Sequence, residues 1–260
     1  MQELANKVAI ITGGGYGIGR EIGRLFAAAG AKITLAARSA NRLESTRAEI
    51  AAASGECIAL VTDVARIADC ERMAEQTLSR FGRIDFLVNN AGIEGATKVT
   101  TEMTPEEWQE VLDIDLTGAW LAARAVLPTM KQQQSGGIIN ISSGAGRRGY
   151  PFRAPYAASK WGMIGLTQTW AGEWGRSGIR VNCICPGPVV GERINRVLTA
   201  RAQAMGVPYE QVVRGFVSQA ALQRMVTEEE VAKVALFFAS EQSSGVTGQT
   251  INVDAGAIMN

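Results

Sequence analysis

The chain has 260 residues, with 26 Lys and Arg against 25 Asp and Glu, a formal net charge of +1, and 47% hydrophobic residues. Charge this balanced excludes a nucleic-acid binder that relies on a positive excess, and an apolar content this high excludes disorder. The sequence holds no histidine, which rules out a Ser-His-Asp triad, a Cys-His dyad, His-ligated zinc and an imidazole base, and leaves proton chemistry to Tyr, Lys, Asp, Glu or Cys.

The N-terminal segment Met1–Lys7 lacks the basic start and apolar stretch of a signal peptide. Lys7–Thr12 (KVAIIT) is rich in β-branched residues and predicts a strand. Ile18, Ile22, Leu25 and Phe26 recur at helical spacing, and Gly30 closes that helix. Lys32–Ala37 predicts a second strand, after which Ser39 is placed to cap a helix carrying Leu43 and Ile50 and ending at Gly55. Cys57–Val61 predicts a third strand, Ile67, Cys70, Met73, Ala74 and Leu78 mark the next helix, and Ile84–Val88 predicts a fourth strand. Thr104-Pro105-Glu106-Glu107 is a capping box with Pro at the first helical position, opening a long helix to about Met130. Gly137–Ser142, Ile179–Cys185 and Thr250–Val253 complete the predicted strands, with a long helix from Pro155 to about Gly175. Residues 192–221 are irregular or helical and apolar only in patches, and Thr227-Glu228-Glu229-Glu230 is a second capping box.

Continuous apolar strands separated by helices predict an α/β fold: a doubly wound parallel sheet with helices on both faces. No linker or repeat divides the chain, so residues 1–260 read as one domain, and no apolar run reaches the about 20 residues of a membrane span. Cys183 and Cys185 flank Ile184 on a buried strand and read as small hydrophobes; with Cys57 and Cys70 they offer no metal site and point to a reduced, cytoplasmic setting. In such a sheet ligands sit beyond the carboxyl ends of the strands.

After the first strand comes Thr12-Gly13-Gly14-Gly15-Tyr16-Gly17-Ile18-Gly19. Alone it would be a tight turn; between a strand and a helix it is a pyrophosphate-binding turn, with helix N–H groups aimed at the anion. The second strand ends without the acid that would hold an NAD ribose, and Arg38 offers a forked cation for a 2′-phosphate, so NADP is expected in preference to NAD.

These residues resemble the short-chain dehydrogenase/reductase family over essentially the whole chain, in particular its bacterial 3-oxoacyl-carrier-protein reductases. The turn has the family's TGxxxGxG spacing, Asn89-Asn90-Ala91-Gly92 its NNAG, Tyr156-Ala157-Ala158-Ser159-Lys160 its YxxxK, and Asn252-Val253-Asp254-Ala255-Gly256 its C-terminal NVDGG with Ala255 for one glycine. The resemblance implies a seven-stranded Rossmann sheet and a homotetramer built through the two long helices. It implies cofactor contacts from Gly13, Gly15, Tyr16, Gly17, Ile18, Gly19 and Arg38, from Asp63 and Val64 at the adenine, and from Asn90, Ala91, Gly92, Tyr156, Lys160, Pro186, Gly187 and Val189.

The catalytic set it implies is Ser143, Tyr156 and Lys160, with Asp115 as a further candidate. A free phenol, with a pKa of about 10, is a poor base near neutrality, and an ammonium at i+4 on the same helix face helps it. A Tyr/Lys pair alone would be an ordinary surface pair; the nucleotide turn and Ser143 give it a role, Ser143 polarising the substrate oxygen. Ser142 falls on the opposite face of its strand.

The family has Asn where this chain has Asp115, which adds a buried charge near Lys160 unless it is protonated or paired. It often has Thr where this chain has Gly191, followed by Glu192 and Arg193.

Substrate-facing segments would supply Glu94, Arg147, Arg148, Tyr150, Phe152 and Arg153, and residues 190–222 would supply Met205, Tyr209 and Phe216 from a substrate-binding loop and helices. The arginines suit an acidic or acyl-carrier substrate, or a solvated loop. The expected function is an NADP(H)-dependent oxidoreductase acting on a small-molecule carbonyl or secondary alcohol, with no nucleic-acid or membrane partner. The alternative is a nucleotide-binding sensor or scaffold of the same fold without turnover.

Overall fold

The computed structural model describes residues 3–259; Met1, Gln2 and Asn260, at the ends of the expected 1–260 domain, lie outside the described residues. Strands β1 (Val8–Thr12), β2 (Lys32–Ala37), β3 (Cys57–Val61), β4 (Phe86–Asn89), β5 (Gly136–Ile141), β6 (Ile179–Pro186) and β7 (Thr250–Val253) pair in parallel in the order β3-β2-β1-β4-β5-β6-β7. Every residue of β1 is buried, as a strand covered on both faces requires. Ala9 and Ile11 pack to one side and Ile10 to the other.

Helices α1 (Gly17–Ala28), α2 (Ala40–Ala52) and α9 (Glu228–Ala239) cover the Ile11 face through Ile22, Phe26, Leu43, Ile50, Val231 and Phe238. Helices α3 (Ile67–Phe81), α5 (Gly118–Gln133) and α6 (Ala154–Trp174) cover the other through Cys70, Met73, Val126, Met130 and Trp170. Among the described residues no helix is long and apolar enough to cross a membrane. The order in which strands join the sheet switches from one side to the other between the parallel β1 and β4, so a crevice opens beyond their carboxyl ends.

Both predicted capping boxes form: Thr104 and Glu107 exchange bonds at the start of α4 (Pro105–Leu112), and Thr227 and Glu230 at the start of α9. The long helix from Pro105 is continuous but widens into a π turn at Asp113–Thr117 before α5. Such widened turns mark functional positions, and this one carries Asp115.

The first, fifth and sixth strands shift by one residue at their ends, and three further expectations change. The fourth strand begins at Phe86 instead of Ile84, because the Asp85 side chain is buried and takes up the Val8 N–H (2.9 Å). Ser39 precedes α2 but makes no side-chain capping bond. Residues 192–221 resolve into α7 (Glu192–Met205) and α8 (Tyr209–Gln219), packed on their own small core of Leu198, Ala202 and Val212.

Candidate active site

The turn after β1 needs glycine. Gly13 and Gly17 have φ of 67° and 61°, a region that side chains disfavour. A side chain on Gly13 would reach the Asn90 amide nitrogen at 2.8 Å, and one on Gly19 would run into the Gly13 carbonyl. The first N–H groups of α1 receive no side-chain cap, which leaves them for an anion. Asn90 latches β4 to the turn: its side chain donates to the Thr12 and Gly13 carbonyls (3.0 and 3.3 Å), and Thr12 Oγ1 accepts from the Asn90 and Ala91 N–H groups (3.0 Å each). Its neighbour Asn89 points into the sheet, where it donates to Asn140 (2.9 Å), which donates to Thr167 on α6 (2.9 Å).

Ser143 and Ser142 separate as strand alternation predicts. Ser143 Oγ stands at the cavity and accepts from the Ala145 N–H (3.1 Å), while Ser142 Oγ donates to the Lys160 carbonyl (2.7 Å). Helix α6 supplies both Tyr156 and Lys160. Lys160 is 4% exposed; its Nζ donates to the Ile141 carbonyl (3.3 Å) and lies 5.5 Å from the Tyr156 ring centroid. Asp115, fully buried, answers that charge. Its Oδ2 lies 3.3 Å from Lys160 Nζ, an ion pair without hydrogen-bond alignment, and its Oδ1 accepts from the Ile93 N–H (2.7 Å). The charge that replaces the family's Asn is therefore paired.

One cavity of about 580 Å³ lies across these strand ends. Gly13, Gly15, Tyr16, Gly17, Ile18, Asn90, Ala91, Gly92, Ser143, Tyr156, Lys160, Pro186, Gly187 and Val189 line it. Arg38, Asp63, Val64 and Gly19 do not: Arg38 is exposed at the end of β2, Asp63 Oδ1 accepts from the Ala65 N–H (3.1 Å), and Val64 packs in the core. Of the expected substrate residues, Glu94, Arg148, Tyr150, Arg153 and Phe216 line the cavity, whereas Arg147, Phe152, Met205 and Tyr209 do not.

Arg42, Arg193 and Glu228 are among the lining residues to which the sequence assigns no role at the site. Arg42 stacks on Tyr16, 4.7 Å from the ring centroid, and its position one helical turn after Arg38 was the available signal. Arg193 reaches back to donate to the Gly92 carbonyl (3.2 Å). Glu228, in the first turn of α9, lies beside Gly17 and Gly191, and burial holds its carboxyl above the usual range.

The charges around Glu94, Tyr150 and Arg193 perturb one another. Burial pushes the Tyr150 phenol up, its ring lying 6.4 Å from that of Tyr156. Burial opposes ionisation of Glu94, but Arg196 and Arg193 outweigh it and hold the carboxyl below its usual range. Burial likewise opposes the Arg193 cation, and Tyr156, Asp115, Tyr16 and Glu94 outweigh it, raising the guanidinium above its ordinary value.

Residues 13–257 match a family model described as enoyl-(acyl carrier protein) reductase. A 3-oxoacyl-[acyl-carrier-protein] reductase of Synechocystis is 38% identical, covering all of both chains. One of Thermotoga maritima is 36% identical over 98% of this chain and 99% of its own. Among solved structures, an NAD+-bound xylitol dehydrogenase superposes with a TM-score of 0.95 at 30% identity, over 97% of this chain and 99% of that one. An actinorhodin polyketide ketoreductase with NADPH gives 0.92 at 32%, over 99% and 98%.

Proposed function

The chain belongs to the short-chain dehydrogenase/reductase family, an oxidoreductase family, and from that premise we propose that it interconverts a carbonyl and a secondary alcohol with NADP(H). One observation carries this reading: Ser143, Tyr156 and Lys160 face the same cavity as an uncapped glycine-rich helix start.

The nucleotide, when bound, supplies or takes up the hydride. Gly13 to Ile18 would hold its phosphates and Asn90 to Gly92 its ribose side, with Pro186, Gly187 and Val189 along the opposite wall. In the reducing direction the Tyr156 hydroxyl gives its proton to the substrate oxygen, and in the oxidising direction it takes one back. Ser143 donates a hydrogen bond to that oxygen and fixes its distance from Tyr156. Lys160 holds a positive charge beneath the Tyr156 ring, where it offsets the charge left on the phenol oxygen. Asp115 positions Lys160 and does not reach the cavity itself.

Arg38 and the absence of an acid at Ala36, Ala37 or Ser39 support NADP, and Arg42 adds a second cation on the same side. The exposed apolar groove of Leu116, Trp120, Gly162 and Leu166, between the long helices, supports a homotetramer, which light scattering would measure. Four free cysteines support a reduced cytoplasmic setting.

Absorbance of NADPH and NADH followed with ketones, aldehydes and acyl thioesters tests the reaction. Consumption should fall about 10³-fold in Tyr156→Phe, while nucleotide binding without any turnover would support the sensor instead. Arg38→Ala should weaken NADPH far more than NADH; equal weakening would overturn the NADP assignment.

A further inference from the structure

The substrate side of the cavity carries more positive charge than the protein answers. Arg153 is 4% exposed, yet its guanidinium donates to two neutral acceptors, the Glu94 carbonyl (2.8 Å) and the Thr97 hydroxyl (2.9 Å). A cation buried against neutral groups is costly unless a counter-charge completes the site. Arg193 stands beside it. Gly191 has φ 148° and ψ −178°, a conformation reserved for glycine, and from there α7 starts with Arg193 over the cavity. The glycine that stands where the family often has Thr thus also marks the start of the helix that carries Arg193.

Arg193 has Glu94 as its nearest carboxylate, at 3.7 Å, and that carboxylate is already engaged by Arg196 at 2.9 Å. Arg153, Arg193 and Arg196 thus converge on one residue with a single negative charge. Lys160 is paired with Asp115 at 3.3 Å. The other acids lining the cavity serve elsewhere: Glu49 pairs with Arg20 (2.7 Å), Glu228 lies beside Gly17, Asp254 accepts from the Gly256 and Ile258 N–H groups, and Glu192 is exposed.

We propose that the absent negative charge belongs to the substrate: the enzyme acts on oxo acids and hydroxy acids, with the carboxylate against Arg193 and Arg153 and the carbonyl or alcohol carbon toward Ser143 and Tyr156. This rests on the oxidoreductase reading above and names the substrate class for it. Arg193 is then a specificity determinant that senses charge, not size. A cofactor phosphate is the other source of an anion, since Arg193 lines the same cavity as the glycine turn. Arg153 favours the substrate, because neither of its hydrogen-bond partners belongs to the glycine turn.

The test compares 2-oxobutanoate, 3-oxobutanoate and 4-oxopentanoate, each against its methyl ester, with the full chain and NADPH. At least one acid should exceed its ester at least tenfold in kcat/KM. Arg193→Met should reduce that ratio about 30-fold, the equivalent of ~2 kcal/mol for a charge-assisted hydrogen bond, mainly through KM, and Arg193→Lys should recover part of it. Esters that equal or exceed all three acids in the unmutated enzyme would overturn the proposal without any variant. So would an Arg193→Met protein that loses NADPH affinity but keeps the acid preference, since that assigns Arg193 to the cofactor. Calorimetric binding of the acids to the protein with NADP+ separates the two readings. Acid binding that Arg193→Met abolishes, with no carbonyl ever reduced, would uphold the anion site and overturn the oxidoreductase. Esters turned over with no acid bound would do the reverse.

Discussion

Two aspartates are buried at opposite ends of the same sheet and are held in different ways. Asp85, at the amino end of β4, is 2% exposed and accepts from the Val8 N–H (2.9 Å) and from Nε and Nη2 of Arg83 (2.7 and 2.6 Å), with Lys7 at 3.6 Å. Asp115, beyond the carboxyl ends, accepts from the Ile93 N–H and otherwise faces Lys160 across 3.3 Å. The first carboxylate is saturated by cations that reach in from the surface, Arg83 being 42% exposed. The second depends on a lysine that is itself buried and also lies against the Tyr156 ring. The amino ends of the strands thus use their polar groups to close the sheet, and the carboxyl ends keep polar capacity for a ligand.

Removing the shared lysine should have the largest effect. Lys160→Met leaves the Asp115 charge buried without a counter-ion, which costs about 3 kcal/mol, and takes the cation from Tyr156, which should lower turnover about 10³-fold. Urea unfolding and steady-state rates would separate the two losses. Adding Asp115→Asn should restore stability and leave turnover low; recovery of both would mean that Lys160 serves only as a counter-ion.

Asp85→Ala should cost a similar ~3 kcal/mol of stability by orphaning Arg83 and the Val8 N–H, while turnover per folded molecule stays at its original level. A change in kcat at low temperature would break the division between the two poles.

Asp115→Asn should have a smaller effect. Its amide oxygen can still accept from the Ile93 N–H, and rates should stay within about tenfold of the original enzyme. A complete loss of turnover in the folded variant would make the carboxylate itself essential.

The same contrast explains what the sequence makes legible. The ranges of β2, β3 and β7 match expectation because their β-branched runs follow local rules, and both capping boxes depend only on neighbours in the chain. The start of β4 was misread because a side chain, Asp85, takes the place of a backbone partner. Helices α7 and α8 were indistinct because their apolar residues pack mainly on each other. The candidate catalytic residues stand out in the sequence through motif spacing, whereas the pairing of Asp115 sits on a π turn that no local pattern announces. Arg193 was the least legible, since its direction follows from the backbone angle of Gly191.

A third carboxylate extends the comparison to the surface. Glu230 accepts from Nη1 and Nη2 of Arg224 (2.9 and 2.6 Å) and from the Thr227 N–H (2.8 Å), so it is as saturated as Asp85 but lies at the surface. These partners, Arg224 first, hold its carboxyl down to about 2, below the ~4.3 of an unfolded chain. A depressed folded pKa contributes stability above the unfolded value, and that contribution is lost as pH falls from about 5 toward 2. Screening in solvent reduces its worth to about 1 kcal/mol. Glu230→Gln keeps the cap geometry, because Gln serves at this position of a capping box, and removes the charge. Between pH 6 and pH 2.5 the original protein should therefore lose about 1 kcal/mol more than Glu230→Gln in urea unfolding, and high salt should shrink the difference. Equal losses in the two proteins would show that saturation stabilises a carboxylate only where water is excluded, which would confine the argument to Asp85.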